Sequence, residues 1–266
     1  MMAETPGVLE VKHFTRAGLF KFLVGPGHKE YIVHKEAFVS ISPVLRALMT
    51  GPKCEAGTGV AVLDDIEEDI MTALCHFAYS GRYDMPVLNN PITPLPYRPE
   101  SVEAKRIFGD DDNREELRVC SGFTSSSQPF YSMFDQYMSS SLIEHLEDPL
   151  VFKYADMTNA FLHHAKMYIL GDRYDIKSLR VFALCHLAHC LSHFRDTWDA
   201  IPSFVALVKQ IYGWTREDDR VRELLSKCAA AQYRDYVHHP DVCKVLKECP
   251  DFCFDVLRHS TGESGV

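Results

Sequence analysis

The chain has no run approaching the roughly 18 consecutive apolar residues that a membrane-crossing helix needs, so nothing in it predicts a span. Its first residues, MMAETPGVLEVKHF, lack a basic start followed by an apolar core, which argues against secretion and predicts a cytoplasmic or nuclear protein. No CxxC pair occurs among the nine cysteines, whose number is odd and whose spacing is irregular. In such a chain they read as reduced, mostly buried thiols. There is no basic stripe either. Lys and Arg number 28 against 37 Asp and Glu, the net charge is −9, and the positive residues are scattered. Duplex affinity comes from neutralising phosphates, so nucleic acid is disfavoured as a partner and a sequence-specific DNA regulator is the weaker reading. The catalytic motifs HExxH and GxSxG, paired carboxylates and the phosphate loop GxxxxGK[ST] are all missing. No internal repeat of solenoid or propeller period is visible.

What is present is ample apolar content, 46% of 266 residues, enough for a real core in one large domain or two small ones. Phe20, Phe22 and Val24 alternate with Lys21 and Leu23, and Tyr31 and Val33 alternate with Glu30, Ile32 and His34. This period of two predicts two strands, joined as a hairpin by Gly25-Pro26-Gly27. Phe38 and Ile41 then mark a short helix. Ser42 and Pro43 suit the cap and first turn of another, with Val44, Leu45 and Leu48 as its stripe and Gly51 as its end. VAVL at 60–63 predicts a third strand. Asp65 and Glu68 resemble a capping box ahead of a helix carrying Ile66, Ile70, Leu74 and Phe77, stopped at Gly81.

From about 84 to 155 the character changes. Five prolines fall between 86 and 99, followed by the acids Asp110 to Asp112 and the run Thr124 to Ser127. Weak periodicity predicts a long, partly disordered insertion, with 86–128 mobile and a possible docked helix through Tyr131, Phe134, Met138 and Leu142. Helical spacing returns with Leu162, Ala165 and Ile169. A second helix follows, capped by Asp175, with Ile176, Leu179, Ala183, Leu187 and Cys190 inward. Three or four more helices are expected after Ile201. The expected core gathers Leu45, Leu48, Ile70, Leu74, Phe77, Tyr168 and Leu179.

Candidate chemistry is sparse. His34 could act as a base, but no nucleophile and orienting carboxylate accompany it in the sequence, and a structural role at the strand-to-helix joint explains it better. His186, Cys190 and His193 share one helical face and could present metal ligands, yet they also continue the core stripe. Cys243, Cys249 and Cys253 lack zinc spacing. Cys75 and His76 are adjacent, about 100° apart around a helix, and do not form a catalytic pair alone. The residues therefore predict no metal and no cofactor, and an enzyme assembled from scattered Cys and His is the remote alternative.

Three ordered blocks resemble the BTB/POZ family. YIVHKEAFVSISPVLRALMTG is similar to its F-x-V-H-K-x-x-L-x-x-x-S-P-x-F signature through Ile32, His34, Lys35, Phe38, Ser42 and Pro43. VAVLDDIEEDIMTALCHFAYSGRY resembles its V-x-L-x-x-I-x-x-x-x-F…Y-T-G-x-Y block through Leu63, Ile66, Tyr79, Gly81 and Tyr83. AKMYILGDRYDIKSL is similar to the family's helix pair through Tyr168, Leu170, Asp172, Tyr174, Asp175 and Leu179. The blocks cover about 20–83 and 160–192. The tail from Ile201 to Val256 is similar, more loosely, to the C-terminal helices of BTB proteins from filamentous fungi.

The resemblance implies an α+β fold with a small mixed sheet flanked by a helical cluster. It sets a BTB/POZ domain at 1–195, interrupted by the insertion, and an all-α C-terminal extension at 196–266. It implies association rather than catalysis: homo- or hetero-oligomers, possibly substrate adaptors on cullin ubiquitin ligases, or transcriptional co-regulator scaffolds. Neither kelch repeats nor zinc fingers accompany the blocks, so a protein substrate would have to meet the insertion or the C-terminal helices. A homodimer is expected through the N-terminal region, where Val8, Val11 and Phe14 are spaced for one apolar helical face. Leu19 stands where members often carry an Asp linked to the dimer contact. In the loop after the second helix, members often carry a hydrophobic-x-Glu triplet for a cullin. Here Lys53-Cys54-Glu55 places a lysine where the apolar anchor belongs, which predicts weakened cullin binding.

Overall fold

The structure is a computed structural model, and it describes residues 18–52, 54–84, 157–193 and 201–260. The stretches 1–17, 85–156 and 194–200, with Lys53 and 261–266, lie outside the described residues. The expectations for Val8, Val11 and Phe14, for the mobile insertion and for the helix near Tyr131 fall there. The fold is mixed α+β, mostly helical, with one three-stranded sheet. The chain divides into two compact units. The first comprises 1–87, 159–187 and 213–215, and the second the remainder.

In the first unit, β1 (Leu19–Val24) and β2 (Lys29–His34) form the expected antiparallel hairpin, with Phe22 opposite Tyr31 and Leu19 opposite His34. Gly25 takes φ 66° and its carbonyl accepts the His28 N–H at 3.0 Å, closing the turn in a backbone region that glycine enters without a Cβ clash. β3 (Val60–Leu63) joins β1 in parallel, giving the order β2-β1-β3. Phe20, Phe22, Val24, Val33 and Ala61 point into the core. On the other face the sheet leaves Leu19, Ile32 and Val62 more than half exposed, at 59%, 61% and 51%.

Between β2 and β3 run α1 (Lys35–Ile41), α2 (Pro43–Thr50) and the short α3 (Cys54–Thr58). The inward stripe of α2 differs from the expected one. Leu45 is buried, but Val44 is exposed, Leu48 is half-buried, and Met49 fills the core instead. Leu45 and Met49 are four apart, one helical turn, and Val44 lies about 100° away from Leu45 around the axis.

Helix α4 (Glu68–Ser80) follows β3 and buries Ile70, Met71, Leu74 and Phe77. Gly81 ends it in the left-handed region, φ 76°, with its N–H on the Phe77 carbonyl. The capping box is not formed. The helix begins at Glu68 with Glu67 in the cap position and no side-chain cap bond. Asp65 instead reaches Arg173, whose guanidinium lies 2.5 Å from its carboxylate.

Helices α5 (Thr158–Arg173) and α6 (Lys177–His193) form a pair. On α6, Ile176, Leu179, Ala183, Leu187 and Cys190 are buried as the spacing predicts. On α5, Ala165 is buried while Leu162 and Ile169 are half-buried, because the helix is covered on several sides by Phe161, His164, Met167, Tyr168 and Leu170. The turn between them also departs from expectation. Asp175 does not cap α6; it sits at φ 49° two residues before the helix starts, and the Ile176 N–H closes on the Gly171 carbonyl at 2.8 Å. A Cβ on Gly171 would meet Arg180 Cγ at 2.9 Å and its backbone nitrogen at 3.1 Å, so the tight return of α6 onto α5 requires glycine there.

Among the described residues from Ile201 onward there are four helices, in line with the expected three or four: α7 (Ile201–Trp214), whose last two residues fall in the first unit, then α8 (Arg220–Tyr236), α9 (Pro240–Glu248) and α10 (Pro250–Ser260) in the second. Arg222 is almost wholly buried. It stacks on Tyr212 at 4.5 Å, donates to the Tyr212 carbonyl and faces Asp251 at 3.5 Å, while the Tyr212 hydroxyl donates to Asp255 at 2.8 Å. A buried guanidinium is tolerable only when paired and hydrogen-bonded in this way. No helix among the described residues is long and apolar enough to cross a membrane.

Leu74 is 2% exposed in the first unit. Leu74→Ala is expected to lower unfolding stability by about 2–5 kcal/mol, the range for emptying a leucine-sized site. A urea unfolding curve with an unchanged midpoint would contradict its core placement.

Candidate functional site

The signature residues converge on the joint between the hairpin, α1–α2 and the α5–α6 turn. Ser42 ends α1 and begins α2, and its extended backbone (φ −144°, ψ 123°) cannot continue a helix. The side chain does two things. Oγ accepts the Leu45 N–H at 2.9 Å, capping α2, and donates to the Tyr174 carbonyl at 2.5 Å across 132 residues of chain. Both bonds are buried, so neither competes with water. Pro43 takes the first helical position, where its missing N–H costs nothing. Tyr174, buried to 8% exposure, supplies the acceptor at the end of α5, and burial raises its hydroxyl above the ordinary phenol range.

His34 closes the other side of the joint. Its backbone N–H donates to Tyr79 Oη at 3.0 Å, its Nδ1 lies 3.0 Å from the same oxygen, and the two rings meet edge to face. Tyr79 also meets Phe38 edge to face. Lys35 lays its ammonium 5.7 Å over the Phe20 ring, and its backbone N–H donates to the Gly18 carbonyl. Asp172 pairs with Arg180 at 3.1 Å, and that guanidinium stands over Tyr168. His34, Lys35, Ser42, Pro43, Tyr79, Gly81, Asp172 and Tyr174 thus fix helix ends and ring contacts.

The sequence reading missed the ion pairs that run beside this joint. Arg173 meets Asp65, and Lys166 meets both oxygens of Glu67 at 2.6 and 2.7 Å. No local signal marks them, because each pair joins residues about a hundred positions apart. A ring cluster was also missed. Tyr83 is buried among His163, His164, Phe182 and His186. The adjacency of His163 and His164 was its only trace in the sequence.

The loop proposed for partners is partly visible. Cys54 is exposed and Glu55 half-exposed on α3, which buries nothing. The Gly59 N–H closes that turn on the Glu55 carbonyl at 2.8 Å, and Thr58 Oγ1 donates to the Cys54 carbonyl. Lys53 lies outside the described residues.

The candidate ligands and nucleophiles separate. His186 packs its ring 4.4 Å from Phe182 and 5.2 Å from His164, while Cys190 is buried; the side chain of His193 is outside the description. Among the described residues no three His, Cys, Asp or Glu side chains are placed to hold a metal ion. Cys75 is half-buried, with its thiol pushed up to about 11, whereas His76 is exposed and faces Asp84 at 3.7 Å. Burial likewise pushes Cys185 up to about 11 and Cys228 well above its ordinary value. Such thiols stay protonated at neutral pH and are poor nucleophiles. Cys243 donates to the Val237 carbonyl, and Cys249 and Cys253 are half-buried one helical turn apart. The geometry can position chain segments and present surface; it brings together no activated group among these candidates.

No protein-family model matches this chain, and no curated protein is significantly similar to it.

Ser42→Ala removes both the α2 cap and the bond to Tyr174. It leaves a buried carbonyl without that donor, so a loss of about 1–3 kcal/mol is expected. Asp65→Asn, on an exposed pair, should cost below about 1 kcal/mol. Chemical denaturation of both variants checks the ranking, and an equal or reversed effect would contradict it.

Proposed function

We propose that this chain is a protein-interaction module of the BTB/POZ type, acting by association in the cytoplasm or nucleus rather than by catalysis. The observation that carries the reading is the Ser42–Tyr174 bond, because it joins two of the three resembling blocks through two signature residues. The order hairpin, α1–α2, β3, α4 and then α5–α6 supports it as well. The protonated, buried thiols favour a binding role over a cysteine-based reaction. The open sheet face with Leu19, Ile32 and Val62 offers apolar surface of the kind partners cover.

The partner we favour first is a second copy of the chain, meeting through the N-terminal region with Val8, Val11 and Phe14. Leu19 makes that contact more apolar than an Asp would, and its exposure at the start of β1 leaves it accessible. A cullin scaffold is the second partner, bound weakly. Lys53 stands at the apolar anchor, and seating an ammonium in a closed pocket costs its hydration. Cys54 and Glu55 remain accessible on α3.

Sedimentation of the purified chain, alone and with a cullin N-terminal domain, tests this. A dimer at micromolar concentration, no wild-type cullin complex at nanomolar concentration, and a tighter complex with Lys53→Phe are expected. A monomer at high micromolar concentration refutes the dimer. Nanomolar wild-type cullin binding that Lys53→Phe does not improve refutes the loop argument. No cullin binding by either form leaves an oligomerisation scaffold and removes the adaptor role.

A further inference from the structure

Helix α5 carries two adjacent histidines, and both are buried, His164 completely and His163 to 7% exposure. They lie at the centre of a stack of rings. Tyr83 Oη is 3.1 Å from His164 Nδ1, and the Tyr83 ring is 5.5 Å from that of His163. The His164 ring is 5.2 Å from His186 on α6, which rests on Phe182 at 4.4 Å. Neither ring nitrogen of His163 has a hydrogen-bond partner.

The groups facing His163 come from every side of the cluster. Helix α4 presents Asp69, whose carboxylate is 3.9 Å from Nδ1 and largely exposed to water. Glu67, just before α4, and Lys166, on α5 itself, act at longer range and are paired with each other. The segment after α4 contributes Tyr83, and the neighbouring His164 ring, 5.9 Å away, is the one that meets His186 of α6. Burial dominates and holds His163 below the ordinary imidazole value; Asp69 opposes that shift, Lys166 adds to it and Glu67 opposes it.

We propose that His163 and its ring stack form a pH-sensitive latch, which keeps α5 and α6 docked on α4 while the His163 imidazole is neutral and releases them in mildly acidic solution. A proton on His163 places a charge with no buried hydrogen-bond acceptor on it, 5.9 Å from the His164 ring. The opened form hydrates that charge. The opened form therefore binds the proton more tightly, and stability present above about pH 6.5, the ordinary imidazole value, is lost as pH falls below it. One such histidine shifts the opening equilibrium toward the opened form by at most about tenfold between pH 7.5 and 5.5. Ordinary carboxylates titrate near pH 4, so acid pairs do not produce a transition in that window.

Two measurements on the full chain test the latch. The first compares urea unfolding at pH 7.5 and 5.5 for the wild type and His163→Gln, whose neutral amide cannot take up the proton. The wild-type equilibrium should move toward the unfolded form at pH 5.5, by up to about tenfold, and the variant by clearly less. A wild type that does not respond, or a variant that responds equally, overturns the proposal. The second needs no variant: hydrogen exchange of the wild type at both pH values, corrected for intrinsic rates. Peptides within 159–187 should lose protection at pH 5.5, by up to about tenfold, while those of β1 and β2 lose less. Protection that is unchanged, or that falls equally in both regions, overturns it.

Discussion

The arrangement of the first unit depends on one hydroxyl. Ser42 must leave the helical region to separate α1 from α2, and that break strands backbone groups in a buried place. Its side chain satisfies the Leu45 N–H and gives its own proton to Tyr174. A single small polar residue thereby ends one helix, starts another and joins the strand block to a helix pair encoded far along the chain. Ala would satisfy neither group. Around this buried bond the Asp65–Arg173 and Glu67–Lys166 pairs lie on more exposed ground, where solvent and salt weaken them. They align α5 against the start of α4 more than they hold it there.

The parts legible in the sequence were those where one local rule decides. Period two placed Phe20, Phe22, Val24 and Val33 inward. Pro43 and Gly81 marked helix ends because their backbone constraints act wherever they stand. The α6 stripe from Ile176 to Cys190 was read correctly because a single face of that stretch meets the core. The errors fell where distant residues compete. Asp65 looked like a cap, but a guanidinium from α5 offers its carboxylate a charged partner. Asp175 looked like a cap, but the short return at Gly171 holds it in a left-handed turn. On α5, burial on several sides erased the periodicity that would have located the face, and the ring cluster left only the adjacency of His163 and His164 to read.

Of the candidate site, the joint was legible and the partner surfaces only in part. His34 was expected to be structural, and the structure sets it against the Tyr79 phenol. The loop reading rested on Lys53-Cys54-Glu55, of which the two visible residues sit on a short turn of helix that contributes nothing to the core. In such a segment the side chains are available for contact while the turn itself is held by backbone and Thr58 bonds. The second unit has its own polar centre in Arg222, Tyr212, Asp251 and Asp255, in which the buried guanidinium is paired with a carboxylate at the surface.

The central claim is that at pH 7.5, where the His163 imidazole is uncharged and the latch is closed, the strand block and the helix pair, distant in sequence, open as one cooperative unit. Two thiols report on it, the half-buried Cys75 on α4 and the buried Cys185 on α6, both held protonated by their surroundings. The direct test is pulsed thiol labelling across a urea series, read residue by residue by mass spectrometry. The account predicts that Cys75 and Cys185 become reactive at the same urea concentration. Labelling of Cys185 at clearly lower urea, with Cys75 still protected, would show that the helix pair detaches on its own and would contradict it.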